Sequence, residues 1–129
     1  MGHFEVNKLL LVEELKAHFL QEIDAASPLG RAEFQRLYDV YRFLPLRNFG
    51  PADTIVPSAL VELSLEGTRA FYFLAPAGGG LILSVDGKPV QVITAQSPLG
   101  ECLLGKKQGD QVRVESRGST RIYDVVEVS

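Results

Sequence analysis

A chain of 129 residues, 46% hydrophobic and 22% charged, has the size and composition of one ordinary globular domain, which excludes a disordered or low-complexity protein. Its 13 basic and 16 acidic residues leave a formal charge of −3 with no basic excess in either half, which excludes a surface built to hold a nucleic-acid backbone. The single cysteine, Cys102, excludes an internal disulfide and a cysteine-based zinc site and fits a reducing compartment. No apolar run approaches the roughly 20 residues of a membrane span, and Glu13-Glu14 follows the early apolar run where a signal peptide would carry its cleavage site. A cytoplasmic protein without a membrane partner is expected.

Over residues 4–25, Leu11, Leu15, Phe19 and Ile23 recur at every fourth position, which predicts an amphipathic helix. Ser27 reads as an N-cap with Pro28 at the first helical position, where its missing amide hydrogen costs nothing. Phe34, Leu37, Tyr38, Tyr41 and Leu44 carry the stripe of a second helix until Pro45 stops it. The two helices pair as a hairpin. Residues 46–57 have the Pro, Gly and Asn density of a linker. Beyond them the period changes to two. Residues 59–65 and 69–75 flank Glu66-Gly67, and residues 81–85 and 90–94 flank Asp86-Gly87, each pair reading as a hairpin of strands. Ser97 caps a short helix that Pro98 begins and Gly105 ends, with Lys106-Lys107 complementing its dipole. Residues 112–115 and 122–128 form a last hairpin of strands across Gly118-Ser119.

The segment Ser97-Pro98-Leu99-Gly100, followed by Leu103-Leu104-Gly105-Lys106, Gly109-Asp110 and Tyr123-Asp124-Val125-Val126-Glu127-Val128, resembles the C-terminal domain of the bacterial Gre transcript-cleavage factors. It is similar also to their shorter relative, the regulator of nucleoside diphosphate kinase. The likeness is densest over residues 97–128 and fades toward residue 57. It implies an α+β chain in which a short antiparallel helical hairpin, residues 1–45, a linker, 46–57, and an FKBP-like antiparallel sheet domain, 58–129, wrapped around one short helix, follow in that order. It implies RNA polymerase as the partner, with the sheet domain docked beside the secondary channel and the hairpin entering it. It nominates Gln96, Ser97, Pro98 and Leu99 as polymerase contacts. Acidic residues at the family's hairpin tip help hold the polymerase's catalytic magnesium, a role that would fall here to Glu22 and Asp24.

The chain departs from the pattern where the chemistry lies. The helices, about 22 and 17 residues, span roughly 33 and 25 Å, clearly shorter than the family's long hairpins. Asp24 is followed by Ala25-Ala26-Ser27-Pro28 without an acidic tip. Residues 75–96 are longer and more apolar than the family pattern, and Gly78-Gly79-Gly80, lacking the following helix and Lys-Ser/Thr of a phosphate loop, reads as a flexible turn.

The remaining candidates are bland. Cys102 has no basic neighbour and reads as a packed thiol. His18 and His3 have no ligand-spaced partner. FKBP-like folds include prolyl isomerases with aromatic pockets, but of Phe71, Tyr72 and Phe73 at least one must face away from any shared pocket. No nucleophile, base and orienting acid assemble, so neither an enzyme nor a cofactor is expected. The leading expectation is an RNA polymerase-binding elongation regulator at the secondary channel entrance without efficient transcript-cleavage stimulation, with no direct sequence-specific nucleic-acid binding. The alternative is a stand-alone FKBP-like interaction module with another partner, for which Phe34, Tyr38 and Tyr41 would be the adhesive stripe. The number of copies in the assembly is left open by the sequence. Duplex DNA titrated into the purified chain at low salt is expected to show no measurable binding; a steep, salt-sensitive isotherm would contradict the charge reading.

Overall fold

The structure, a computed structural model, describes residues 6–129. Its first helix, α1 (Lys8–Ala25), is opened by Asn7, whose side-chain oxygen accepts the Leu10 N–H at 3.1 Å. The expected helix beginning at Phe4 therefore starts later; Phe4 and His3 lie outside the described residues. The second helix, α2 (Pro28–Arg42), has Ser27 as its cap and Pro28 at its start. At 18 and 15 residues the helices span about 27 and 22 Å. Arg31 donates from its side chain to the Ile23 carbonyl at 3.3 Å, tying the start of one helix to the exposed last turn of the other.

Six strands follow: β1 (Leu60–Leu65), β2 (Thr68–Ala75), β3 (Leu81–Val85), β4 (Lys88–Thr94), β5 (Gln111–Ser116) and β6 (Ser119–Val128), with α3 (Pro98–Leu103) between β4 and β5. They make one sheet in the order β3-β4-β2-β1-β6-β5. The α+β architecture and the short helix match the expectation, but the sheet is mixed. All pairings are antiparallel except β2 with β4, which run parallel from Phe71↔Val90 to Ala75↔Thr94. The chain leaves β2, passes beyond the neighbouring position to form the outer strand β3, and returns through the Asp86-Gly87 turn to fill the gap with β4.

That route explains the glycine run. Residues 76–80 thread between the hairpin and the end of β4, and a Cβ on Gly78 would lie 2.9 Å from the Phe19 ring. One on Gly79 would lie 2.9 Å from the Thr94 methyl and 3.2 Å from its backbone nitrogen. The Tyr41 hydroxyl donates to the Ala77 carbonyl, and the Gly80 N–H donates to Val92 O at 2.9 Å. The expected flexible turn is instead a packed crossover, with glycine used where no side chain fits.

Strand alternation sorts the core into two layers. On one face Leu60, Phe71, Phe73, Val90 and Val92 pack against Leu11, Leu15, Phe19 and Tyr41 of the hairpin. Phe19 and Tyr41 stack with centroids 5.5 Å apart. The aromatic stripe of α2 thus has its partner in the sheet of the same chain: Tyr41 is buried, and Phe34 and Tyr38 pack at the margin. On the other face Val61, Leu63, Leu74, Ile93, Leu103, Val112 and Val125 form a second cluster under α3. The short helix touches both β4 and β5, which stand near opposite ends of the sheet order, so the sheet curls around it. A register shift opposite β6 between Glu62 and Leu63 marks a bulge that assists the curl.

Residues 43–59 fasten the two faces together. Ile55 donates to Lys106 O at 2.8 Å and accepts from Gly105 N at 3.0 Å, while Phe49 and Ile55 enter the α3-side cluster. The Lys8 amine is buried, donates to the main-chain oxygens of Arg47 (2.9 Å) and Ser129 (3.0 Å), and lies 4.6 Å from the Phe49 ring centroid. The Arg47 guanidinium stands over the same ring at 4.1 Å and reaches Asp53 at 3.8 Å.

Burial, helped by the nearby Arg47 charge, lowers the Lys8 pKa to about 8. The unfolded chain, with the ordinary lysine value, then binds more protons than the folded one between pH 8 and about 10.5, so this residue makes stability rise with pH across that window. Raised pKa values at Tyr41 and Tyr72, both caused chiefly by burial, oppose the rise near its upper end. Urea midpoints of wild type and Lys8→Met compared at pH 7.5 and 9.5 should show a rise in the wild type that the variant lacks. Parallel slopes would mean that the amine keeps its ordinary pKa.

Candidate functional site

The nominated segment begins where β4 ends. Ser97 caps α3 with its hydroxyl oxygen accepting the Gly100 N–H at 3.0 Å, and the same hydroxyl donates to Thr94 O at 2.7 Å. The Ser97 N–H also donates to Thr94 O, at 3.1 Å. Gly100 then packs so tightly onto the strand end that a Cβ there would lie 1.9 Å from the same carbonyl oxygen. Only glycine fits.

The first copy of Ser-Pro-Leu-Gly is built more loosely. The Ser27 hydroxyl accepts from Gly30 at 3.5 Å, a Cβ on Gly30 would meet nothing nearer than 3.4 Å, and Leu29 is 91% exposed. The two copies share the capping device alone: in the first it starts a helix at the hairpin tip, and in the second it locks a helix to a strand.

With Ser97 fixed, Pro98 and Leu99 form one wall of a cleft of about 540 Å³. Gln91 and Ile93 of β4 and Tyr72 of β2 continue that wall, and Val114 and Ser116 of β5 with Ser119, Arg121 and Tyr123 of β6 face it, Arg117 standing at the connecting turn. Three of the four nominated residues, Ser97, Pro98 and Leu99, therefore share one cavity; Gln96 is exposed beside it and does not line it. Of the three consecutive aromatics, Tyr72 alone reaches the cleft, since Phe71 and Phe73 face the hairpin. Burial, with Tyr123 adding to it and Arg121 opposing, raises the Tyr72 pKa above the ordinary tyrosine value.

Arg117, Arg121, Tyr123 and Gln91 were not among the expected site residues. A signal existed for two of them: period-two alternation along β6 puts Arg121 and Tyr123 on the same side as the buried Val125. Gln91 joins through the parallel β2–β4 pairing, which the spacing of the segments does not show.

Glu22 and Asp24 stand in the last turns of α1, Glu22 half-buried and Asp24 exposed. Two residues apart on a helix, they point in nearly opposite directions. No group of three or more His, Cys, Asp or Glu among the described residues could hold a metal ion. Cys102 is half-buried against the α3-side cluster, and His18 makes an edge contact with Phe19. No described helix is long and apolar enough to cross a membrane.

Residues 85–129 match the family model described as transcription elongation factor, GreA/GreB, C-term. They span every cleft element except Tyr72. A stretch of 39 residues is 51% identical to transcription elongation factor GreA of Thermotoga neapolitana, covering 30% of this chain and 25% of that protein. The match thus reaches a quarter of the relative's length. Among solved structures, GreA factor homolog 1 (Gfh1) of Thermus thermophilus overlays 95% of this chain on 85% of its own with a TM-score of 0.49 at 18% identity. GreA/GreB from Nitrosomonas europaea overlays 92% on 93%, with a TM-score of 0.44 at 19% identity.

The contrast between the two glycines is directly measurable. Gly100→Ala should lower the unfolding free energy by roughly 2–4 kcal/mol, because the new methyl overlaps a backbone oxygen that cannot rotate away. Gly30→Ala should be neutral or raise it by up to about 1 kcal/mol through helix propensity. Equal responses in urea denaturation would mean that the second motif is packed no more tightly than the first.

Proposed function

We propose that this chain, whose residues 85–129 belong to the GreA/GreB transcription elongation factor family, binds RNA polymerase and regulates elongation by occupying space at the secondary channel entrance. The observation that carries the reading is the coincidence of the family segment with the walls of the cleft beside α3, three of whose lining residues are Ser97, Pro98 and Leu99. The sheet domain supplies docking. Pro98 and Gln96 are exposed there and make no hydrogen bonds that the fold needs, so they are free to meet a partner.

The hairpin supplies bulk rather than chemistry. Its tip, residues 25–29, is made of Ala, Ser, Pro and Leu; Glu22 and Asp24 diverge; and α1 reaches about 27 Å. These features support an action without efficient stimulation of transcript cleavage. The residues numbered 1–45, 46–57 and 58–129 are read as a hairpin, a strap and a docking domain that act as one body, since the strap's Phe49 and Ile55 enter the docking domain's core.

The test is binding of the purified chain to core RNA polymerase, with Gln96→Ala/Pro98→Ala alongside. These substitutions spare Ser97 and Gly100, which the fold requires. A binding loss of about tenfold or more in the folded variant is the expected result, the size of one or two contact hot spots. Absence of wild-type binding at micromolar concentration would overturn the proposal. Cleavage of backtracked transcript should stay at the polymerase's own rate in the presence of the chain, and Asp24→Ala should change nothing.

A further inference from the structure

We infer that the cleft beside α3 recognises an acidic side chain carried on an apolar stretch of the partner protein, and that Arg117 and Arg121 are the residues that select it. The inference deepens the docking reading above and rests on it. Its first support is the charge inventory of the cavity: the charged residues lining it are Arg117 and Arg121, and no carboxylate lines it. Elsewhere the arginines have partners: Arg36 pairs with Glu33, Arg69 with Glu62 at 3.5 Å and Arg113 with Glu115 at 3.3 Å, while Arg31 donates to Ile23 O and Arg42 lies over the Phe43 ring. Among the described residues, Arg117 and Arg121 have no carboxylate within ion-pair distance. In a chain of net charge −3, an acidic partner meets no general attraction, so two cations without a neighbouring carboxylate favour its landing at this cleft.

The second support is the rest of the lining. Ile93, Leu99 and Val114 offer an apolar wall for an aliphatic stem, and the hydroxyls of Tyr72 and Ser97 border it as polar groups. A carboxylate on an apolar stretch suits that mixture. A phosphate backbone does not, because tight backbone binding draws on a track of many cations and here there are two.

The third support is where Arg117 sits. It opens a two-residue turn in which it has φ of 51° and Gly118 has φ of 78°. That left-handed position favours a short Asn or Asp, as in the equivalent Asp86-Gly87 turn. An arginine there is the poorer choice for the turn and the better one for the cleft. Arg117→Asn should therefore raise the melting temperature while weakening binding, opposite signs that a purely structural role would not produce.

Two readouts test the inference. Amide NMR shifts of the labelled chain are followed with a short synthetic peptide alternating glutamate with leucine, and with its glutamine counterpart; core polymerase binding is measured in parallel across salt. The glutamate peptide should shift Gln91, Leu99 and Tyr123, the glutamine peptide should not, and Arg117→Asn/Arg121→Gln should abolish the effect. The same pair should weaken polymerase binding about tenfold or more and flatten its salt dependence. If polymerase binds and the pair leaves its affinity within twofold, the inference is overturned. It is overturned also if polymerase does not bind and the two peptides behave alike, or if a single-stranded oligonucleotide displaces the glutamate peptide from the cleft. If polymerase does not bind while the glutamate peptide still does, the cleft chemistry stands and the polymerase reading falls.

Discussion

Thr94, at the end of β4, is approached so closely from two directions that neither approach tolerates a side chain. From one side Gly79 of the crossover comes within contact of its methyl and backbone nitrogen; from the other Gly100 of α3 comes against its carbonyl oxygen. The cause is topological. Because β4 is inserted between β2 and β3, the chain must cross the end of β4 to reach β3, and must leave from that same end to make α3. Two passes through one place require two bare backbones, and Ser97 then uses the remaining capacity of the Thr94 oxygen for its own hydroxyl and N–H. The position of the strand end fixes the first turn of α3, and the first turn of α3 fixes one wall of the cleft.

A second constraint governs the hairpin. Its apolar faces are spent on the sheet: Leu11, Leu15, Phe19 and Tyr41 are buried against β1, β2 and β4, and Tyr41 is additionally bonded to the crossover at Ala77. The burial of four large side chains is worth on the order of several kcal/mol, a sizeable share of the stability of a domain this small. At the opposite end the Lys8 amine, the Phe49 ring and the Arg47 guanidinium bind the start of α1 to the strap and to the end of β6. The hairpin is thereby one layer of the sheet domain. Under the proposed role this gives the docked factor a body of fixed shape.

Much of this was readable from residue patterns because the signals were local. Ser27-Pro28 and Ser97-Pro98 cap helices by chemistry contained within four residues, and Glu66-Gly67 and Asp86-Gly87 make turns in which both residues have positive φ, while the last turn falls at Arg117-Gly118, one residue before the expected Gly118-Ser119. Such devices announce themselves in any context. The parallel β2–β4 pairing did not, because two adjacent predicted hairpins look the same whether their strands lie in chain order or interleave. The glycine run is illegible for the same reason: Gly78 and Gly79 are explained by the distant Phe19 and Thr94, and Gly80 by a φ of 96° that only the crossover's path imposes. Arg117 and Arg121 went unnoticed because an isolated arginine on a strand is usually a solvated one, and its meaning here comes from the absence of acids around a cavity that the sheet's curl creates.

The repeated Ser-Pro-Leu-Gly shows how one short string divides between fold and partner. In the second copy Ser97 and Gly100 are consumed internally, by a cap, a bond to Thr94 and a backbone contact, so their identity follows from packing whatever the protein binds. Pro98 and Leu99 sit between them and are carried to the cleft wall as a consequence. In the first copy Gly30 meets no backbone and Leu29 projects into solvent, so the same letters impose almost nothing. A motif that is structurally obligatory at its ends, with Pro98 exposed and Leu99 half-buried between them, presents its central residues at a fixed height and angle without any loop to order on binding, which lowers the entropic cost of docking. The information that distinguishes a partner must then come from residues outside the motif. In this chain the rim of the opposite wall is the part with room to vary: Val114 and Tyr123 are held in the core, but Ser116, Arg117, Ser119 and Arg121 are exposed around the β5–β6 turn and are not held against Thr94.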